Sequence, residues 1–286
     1  MINKVRKELQ RFAGAVTFYS RIPLPSNWFS EENSYSSRYF SLVGWIAGGA
    51  CAAVWMLAEM LISGSLIWQS SSESPEPVAV LLGLAVGVLL TGALHEDGFA
   101  DTCDGFGHGG TPEEKLRIMK DSRIGTYGAL GILLLVLLKF FSLLQIETEL
   151  LPWIWISGHS LSRFLAISQL TYIAYVQDST NSKSSAMTSI SKTDLAVNLI
   201  IGFLPLLVVW NHAWLGFFAA ILMWWFLMVY FRKKLGGITG DCMGSTQQLT
   251  EVVFYIFLGF KIGPVSYTHL RAHETRHDLV CRLLLE

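Results

Sequence analysis

VAVLLGLAVGVLLTGAL, residues 78–94, runs without a break into His95-Glu96-Asp97-Gly98-Phe99-Ala100-Asp101-Thr102-Cys103-Asp104-Gly105. The first part is an apolar stretch long enough to cross most of a bilayer. The second places carboxylates at the membrane edge, where they are costly. Asp97, Asp101 and Asp104 stand at i, i+4 and i+7, which puts them on one face of a helix. Three like charges on one stripe repel each other unless a positive group sits among them. A divalent cation is the natural partner, and oxygen-only ligands favour Mg²⁺, Mn²⁺ or Ca²⁺ over zinc. Ionisable groups so close to the hydrocarbon mark a functional-site hypothesis.

The rest of the chain agrees with a membrane setting. Of its 286 residues 52% are hydrophobic and only 15% charged, against about 25% charged in soluble domains. Mean hydropathy is +0.44. A net charge of −1 gives no global field for nucleic acid. Cys51, Cys103, Cys242 and Cys281 lack the spacing of a zinc site or a disulfide framework and suit a reducing compartment. The basic start of the chain is not followed by a cleavable leader pattern.

Apolar segments mark six spans, at 39–64, 78–94, 124–146, 150–175, 195–210 and 213–231. A seventh, 250–262, stops short. The reading is an all-α polytopic membrane helix bundle of about six or seven spans. Alternate connections are basic: Lys4, Arg6, Lys7, Arg11, Arg21 and Arg38; then Lys115, Arg117, Lys120 and Arg123; then Lys183 and Lys192; then Arg232, Lys233 and Lys234. The intervening ones lack Lys and Arg. The positive-inside rule therefore predicts a cytoplasmic N-terminus, and it puts the Asp stripe and the 232–250 connection on the same, cytoplasmic side. That connection holds Gly236, Gly237, Gly240 and Gly244, which let backbone approach a ligand closely, and Asp241, a further oxygen ligand. The Ser-rich stretch 179–191 reads as a mobile loop. Residues 1–263 read as one membrane-embedded domain. Residues 264–286 break the pattern and read as a non-native tail, despite His269, His273 and His277 at helical spacing.

The motif His95-x-Asp97-Gly98-x-x-Asp101-x-x-Asp104-Gly105 resembles the signature of the cobalamin synthase (adenosylcobinamide-GDP ribazoletransferase) family. Three other blocks resemble that family in order: Phe18-Tyr19-Ser20-Arg21-Ile22-Pro23; Lys120-Asp121-Ser122-Arg123-Ile124-Gly125-Thr126-Tyr127-Gly128; and Gly237-Ile238-Thr239-Gly240-Asp241 with Thr250-Glu251. Glu96 departs from a usually apolar position, and Cys103 and Ser245 from usually small ones. The resemblance implies that adenosylcobinamide-GDP reacts with α-ribazole, or its 5′-phosphate, to give adenosylcobalamin, or its phosphate, and GMP. It implies a Mg²⁺ requirement and a home in the bacterial cytoplasmic (inner) membrane. Homo-oligomerisation and association with other corrinoid-pathway enzymes stay open.

The chemistry would be attack of a ribose hydroxyl on a pyrophosphate phosphorus, which depends on positioning and charge neutralisation. Asp97, Asp101 and Asp104, with Asp241, are the candidate metal ligands. Gly98 and Gly105 would admit a phosphate or another helix backbone. Asp104 and His95 are both candidate general bases, and the sequence does not separate them. Glu96 is expected to point away from the stripe into solvent. Lys120 and Arg123, with Asp121 between them, are candidates for pyrophosphate binding, and Gly240 for close backbone approach. Arg163, four residues after His159, should face the bundle interior, either to reach a ligand phosphate or to pair with a buried acid. Lys139 is expected to snorkel. Trp153, Trp155, Trp210, Trp214, Trp224 and Trp225 are expected in the interface belt.

Two other readings compete. A CDP-alcohol phosphotransferase also sets repeated Asp at a cytoplasmic helix end, but here Phe99-Ala100 leads into Asp101 where its usual signature has Arg, and the next Asp comes after only two residues. A divalent-cation transporter would place acids near the bilayer midplane on broken helices.

Overall fold

The computed structural model describes residues 2–28, 37–64, 74–176 and 189–258. The tail at 264–286, most of the Ser-rich stretch and the end of the expected seventh span lie outside the described residues. Within them the regular structure is helical: α1 (Ile2–Tyr19), α2 (Phe40–Ser63), α3 (Pro77–Thr91), α4 (Leu94–Gly107), α5 (Pro112–Met119), α6 (Thr126–Leu143), α7 (Leu151–Ser168), α8 (Lys192–Phe203), α9 (Trp210–Leu235) and α10 (Gly240–Leu258).

Among the described residues three units are long and apolar enough to cross a membrane: α2, α6, and the run Lys192–Leu235. In that run α8 and α9 are joined only by the 3₁₀ turn Pro205–Val209, so the expected fifth and sixth segments have no polar loop between them. A fourth crossing is available if α3 and α4 count as one span bent by 88°. The bend has a local cause. Gly92 and Ala93 both take left-handed backbone (φ 66° and 59°), and Ala93 is the only such non-glycine among the described residues. The segment after α1 braces it: the Arg21 N–H donates to Leu90 O at 2.7 Å. A Cβ on Gly92 would fall 2.3 Å from Arg21 Nε.

The expected fourth span is α7, extended by the 3₁₀ turn Gln169–Thr171, and it is the centre of the bundle rather than an apolar rod. Ser157, Ser160, Ser162, His159 and Arg163 are all buried in it. Surrounding helices shield these groups from lipid, which removes the need for uniform apolarity. α2 lies against α7 at close range through Gly44 and Gly48, where an added Cβ would come 2.5 Å from His159 O and 2.7 Å from Ile156 Cα. Trp155 corrects the interface-belt expectation. It is fully buried, its ring 6.0 Å from that of Trp55. Trp210 and Trp224 are partly buried against the same core, while Trp153, Trp214 and Trp225 are exposed.

Candidate active site

α4 lies along the first half of α6 and crosses the start of α10. Its Phe99 packs with Leu135 and Val252, and a Cβ on Gly131 of α6 would meet Cys103 Sγ. The α10 crossing depends on Gly98: a Cβ there would come 2.9 Å from Asp241 Cα and 3.2 Å from Asp241 O. Gly105 faces Met119 and Lys115 of α5 in the same way. Both glycines therefore admit protein, not a phosphate, and the substrate-binding assignment for Gly98 and Gly105 is corrected. Gly240 is different. Its nearest neighbour would be the Tyr175 hydroxyl at 3.6 Å, so its surface remains open.

The Asp stripe divides. Asp97 and Asp101 face Asp241 across the α4–α10 crossing, and the charges of Asp241, Asp97 and Asp104 all act on half-buried Asp101. Asp104 is buried and turned to α6. Its Oδ2 accepts the Gly125 N–H at 2.7 Å and its Oδ1 the Gly128 N–H at 2.9 Å. A carboxylate from α4 thus caps the N-terminus of α6, satisfying donors that have no intrahelical partner. Glycine at 125 and 128 leaves room for it, since a Cβ at either would sit 2.4 Å from a carboxylate oxygen.

Among the described residues no three His, Cys, Asp or Glu side chains are gathered closely enough to enclose an ion unaided. Mg²⁺ does not ask for that: it is commonly held by one or two carboxylates with waters and substrate phosphates. Asp97, Asp101 and Asp241 form an all-oxygen seam whose mutual repulsion a cation would relieve, and one or two of these carboxylates, with waters and substrate phosphates, suit Mg²⁺ in that way.

Asp241 is placed by backbone. The Val176 N–H donates to Ile238 O at 2.8 Å and the Ile238 N–H to Ala174 O at 3.0 Å. This short parallel bridge holds the 236–240 loop and aims the start of α10 at α4. Tyr175, whose hydroxyl lies beside Gly240 and which feels the charge of Asp241, was not singled out by sequence reasoning. It stands outside the matching blocks and carried no local signal.

Beyond α4 lies an exposed cleft of about 510 Å³ lined by Asp104, His108, Arg117, Asp121 and Arg123. Arg123 grips Asp121 with two bonds, Nε to Oδ1 at 3.1 Å and Nη2 to Oδ2 at 2.7 Å. The guanidinium lowers the Asp121 carboxyl to about 2. Lys120 is exposed next to them. Lys115 is buried and closes the preceding turn by donating to Gly109 O at 2.8 Å and to Gly110 O.

Behind the seam, a polar cluster occupies the bundle interior. Glu251 is its centre. Lys139 Nζ lies 2.7 Å from Glu251 Oε1 and donates also to Gln248 Oε1 at 2.6 Å; Gln247 Nε2 donates to Glu251 Oε2 at 2.6 Å. Lys139 is therefore turned inward and does not snorkel, because an ammonium paired with a carboxylate is satisfied inside the bundle. Arg163 Nη1 donates to His159 O at 2.8 Å and meets His159 Nδ1 at 3.1 Å. A guanidinium only donates, so Nδ1 accepts and the ring proton sits on Nε2, facing Cys51 Sγ at 3.6 Å. Glu251 is the buried acid nearest this pair: its charge acts on Arg163, and its Oε2 lies 3.3 Å from His159 Nδ1. Glu96 points away from the stripe, but not into solvent: its Oε1 accepts from Gln248 Nε2 at 2.9 Å. His95 stacks on Phe40 with centroids 5.7 Å apart, and Arg163 lies over the same ring at 5.8 Å. It is on the side of α4 opposite Asp97 and Asp101, so the structure does not bring His95 to the seam carboxylates.

Comparison with known proteins gives one consistent result. A model of the cobalamin-5-phosphate synthase family matches residues 11–259. The adenosylcobinamide-GDP ribazoletransferase of Shewanella frigidimarina is 40% identical over 263 residues, covering 88% of this chain and 95% of that one. That of Vibrio cholerae serotype O1 is 38% identical over 260 residues, covering 89% and 95%. That of Shewanella oneidensis is 38% identical over 260 residues, covering 88% and 94%. No solved structure matches.

Proposed function

The chain belongs to the cobalamin-5-phosphate synthase family, and from that premise we propose how its α4–α10 seam performs the reaction that its relatives' name describes. It is a transferase of the final assembly step of cobalamin synthesis, with adenosylcobinamide-GDP as a substrate. The acceptor is α-ribazole or its 5′-phosphate. A ribose hydroxyl attacks the cobinamide-bound phosphorus of the pyrophosphate. A new P–O bond forms to the ribose, the P–O bond to GMP breaks, and the hydroxyl proton passes to a seam carboxylate. The seam is the observation that carries this reading: Asp97 and Asp101 from one helix facing Asp241 from another, beside a cationic cleft.

One or two of Asp97, Asp101 and Asp241, with waters and the substrate's phosphates, would hold Mg²⁺. When bound, the ion supplies charge neutralisation for the pyrophosphate and the departing phosphate. Gly98 sets the spacing between the two helices that carry these groups. Asp104 is a positioning residue: by capping α6 it fixes α4 against the cleft wall. The GDP end lies in the cleft, where Arg123, held by Asp121, Arg117 and Lys120 present positive charge to phosphate oxygens. Open backbone at Gly240 lets the substrate approach the start of α10.

The charge pattern of the connections supports six or seven spans, a cytoplasmic N-terminus and a site opening to the cytoplasm, in a bacterial inner membrane. The bend between α3 and α4 and the interior charges also suit a cation pathway. Against that stands the direct pairing of Lys139 with Glu251, which neutralises the acid at the centre of the bundle interior. Membranes carrying the protein, given both substrates and Mg²⁺, should release GMP and form a cobalamin product only when both substrates are present. GMP release without α-ribazole, or release of CMP from a CDP-alcohol donor instead, would overturn this reading.

A further inference from the structure

Between α3 and α6 a cavity of about 390 Å³ opens toward the bilayer, distinct from the seam and the cationic cleft. Its walls are apolar, built from Leu81, Leu84 and Val88 on one side and Leu135 and Val136 on the other. Its floor is the polar cluster: Glu96, Lys139, His159, Gln248 and Glu251. Lys139, His159, Gln248 and Glu251 are all buried. One floor group is incomplete, because Glu96 Oε2 is buried without a hydrogen-bond partner.

The floor selects among ligand chemistries. Glu96 and Glu251 are offset by Lys139 and, behind it, Arg163, so a phosphate or a bare cation finds no excess of opposite charge. A lipid acyl chain would fill the walls but leave Glu96 Oε2 unsatisfied, which is costly inside a bundle. The volume is at the lower end of the range for small-molecule sites, about 300–1,000 Å³, and too small for a corrinoid carrying its nucleotides. What fits is a neutral, mostly apolar molecule with a polar edge that both donates and accepts.

Resting on the transferase reading above, we propose that this intramembrane cavity takes the benzimidazole base of the incoming nucleoside, with its ribose toward Glu96. The dimethylated ring edge lies against Leu84 and Leu135. Lys139, already donating to two acceptors, has its third N–H for the unsubstituted ring nitrogen. Glu96 Oε2 accepts from a ribose hydroxyl. Glu96 marks the border of the two regions: its side chain lines the cavity on the side of α4 away from the stripe, and the next residue, Asp97, belongs to the seam. Leu81 is 51% exposed at the open side, so an apolar base can enter from the bilayer.

The test is steady-state kinetics on the full chain in lipid vesicles, with a bulky side chain at the lipid-facing mouth. Ala85 lines the cavity and is exposed there, so Ala85→Trp fills the space without entering the core. Val136→Phe fills it from the opposite wall and serves if the first variant melts below the wild type. Either should raise KM for α-ribazole about tenfold or more, with KM for adenosylcobinamide-GDP unchanged. Glu96→Gln should raise the same KM and leave the other. An unchanged KM for α-ribazole in a cavity-filled protein that melts like the wild type overturns the proposal, as does an equal rise in both KM values. Wild-type protein that releases no GMP would instead sink the transferase reading, and direct titration of α-ribazole fluorescence against wild type and Ala85→Trp would then decide the cavity alone.

Discussion

Replacing Lys139 with Met should destabilise the bundle more than any exposed substitution. The ammonium is 2.7 Å from Glu251 Oε1, with side-chain exposures of 7% and 1%. At that distance, and an effective dielectric near 20, the Coulomb attraction is about 6 kcal/mol, of which desolvation takes back a large part. Removing one partner leaves the other charge buried, and the expected loss is about 3–5 kcal/mol. Glu251→Gln should cost a similar amount, since it strands the Lys139 charge. The double variant Lys139→Met with Glu251→Gln removes both charges at once. It should therefore be more stable than the sum of the single losses by about 2 kcal/mol or more, a coupling typical of residues in direct contact. Equilibrium unfolding in mixed micelles measures all four proteins. Additive losses would refute the pairing and, with it, the reading of this cluster as a structural floor.

Asp104→Ala removes both acceptors at the start of α6 and should cost about 1–3 kcal/mol, with Asp104→Asn in between, measured by the same unfolding. Gly98→Ala should lower the rate of GMP release by misaligning Asp101 and Asp241, and it should cost about 1–3 kcal/mol because the new methyl meets backbone. Arg123→Ala should leave the melting temperature unchanged, as its ion pair is solvent-exposed, while raising KM for adenosylcobinamide-GDP. Chelation with EDTA should abolish GMP release and added Mg²⁺ should restore it; activity that survives chelation would remove the ion from the reaction.

Local pattern made part of this molecule legible. The apolar runs located α2, α6 and the α8–α9 unit, and the i, i+4, i+7 spacing put Asp97, Asp101 and Asp104 on a helix. Spacing could not say where each side chain ends. Asp104 belongs to α6 because Gly125 and Gly128 lie next to it in space, 21 and 24 residues along the chain. Lys139 and Glu251 are 112 residues apart, and no local signal distinguishes a snorkelling lysine from one paired inside a bundle. Trp155 went astray for the same reason, since an aromatic in an apolar run reads alike whether it faces lipid or Trp55. Ala93 gave no sign of its left-handed backbone; Gly92 beside it was the one hint of the bend. Gly98 and Gly105 were read correctly as places of close approach, and only tertiary packing shows that helices fill them.

The most direct test of the seam is single-turnover GMP release in lipid vesicles, comparing wild type with Asp101→Asn and Asp241→Asn at saturating substrates and Mg²⁺. The two residues come from different helices and share only the crossing at Gly98. Both variants should lose about a hundredfold or more in rate while still binding adenosylcobinamide-GDP. A folded Asp241→Asn protein that turns over at the wild-type rate would contradict a reaction centre built between α4 and α10.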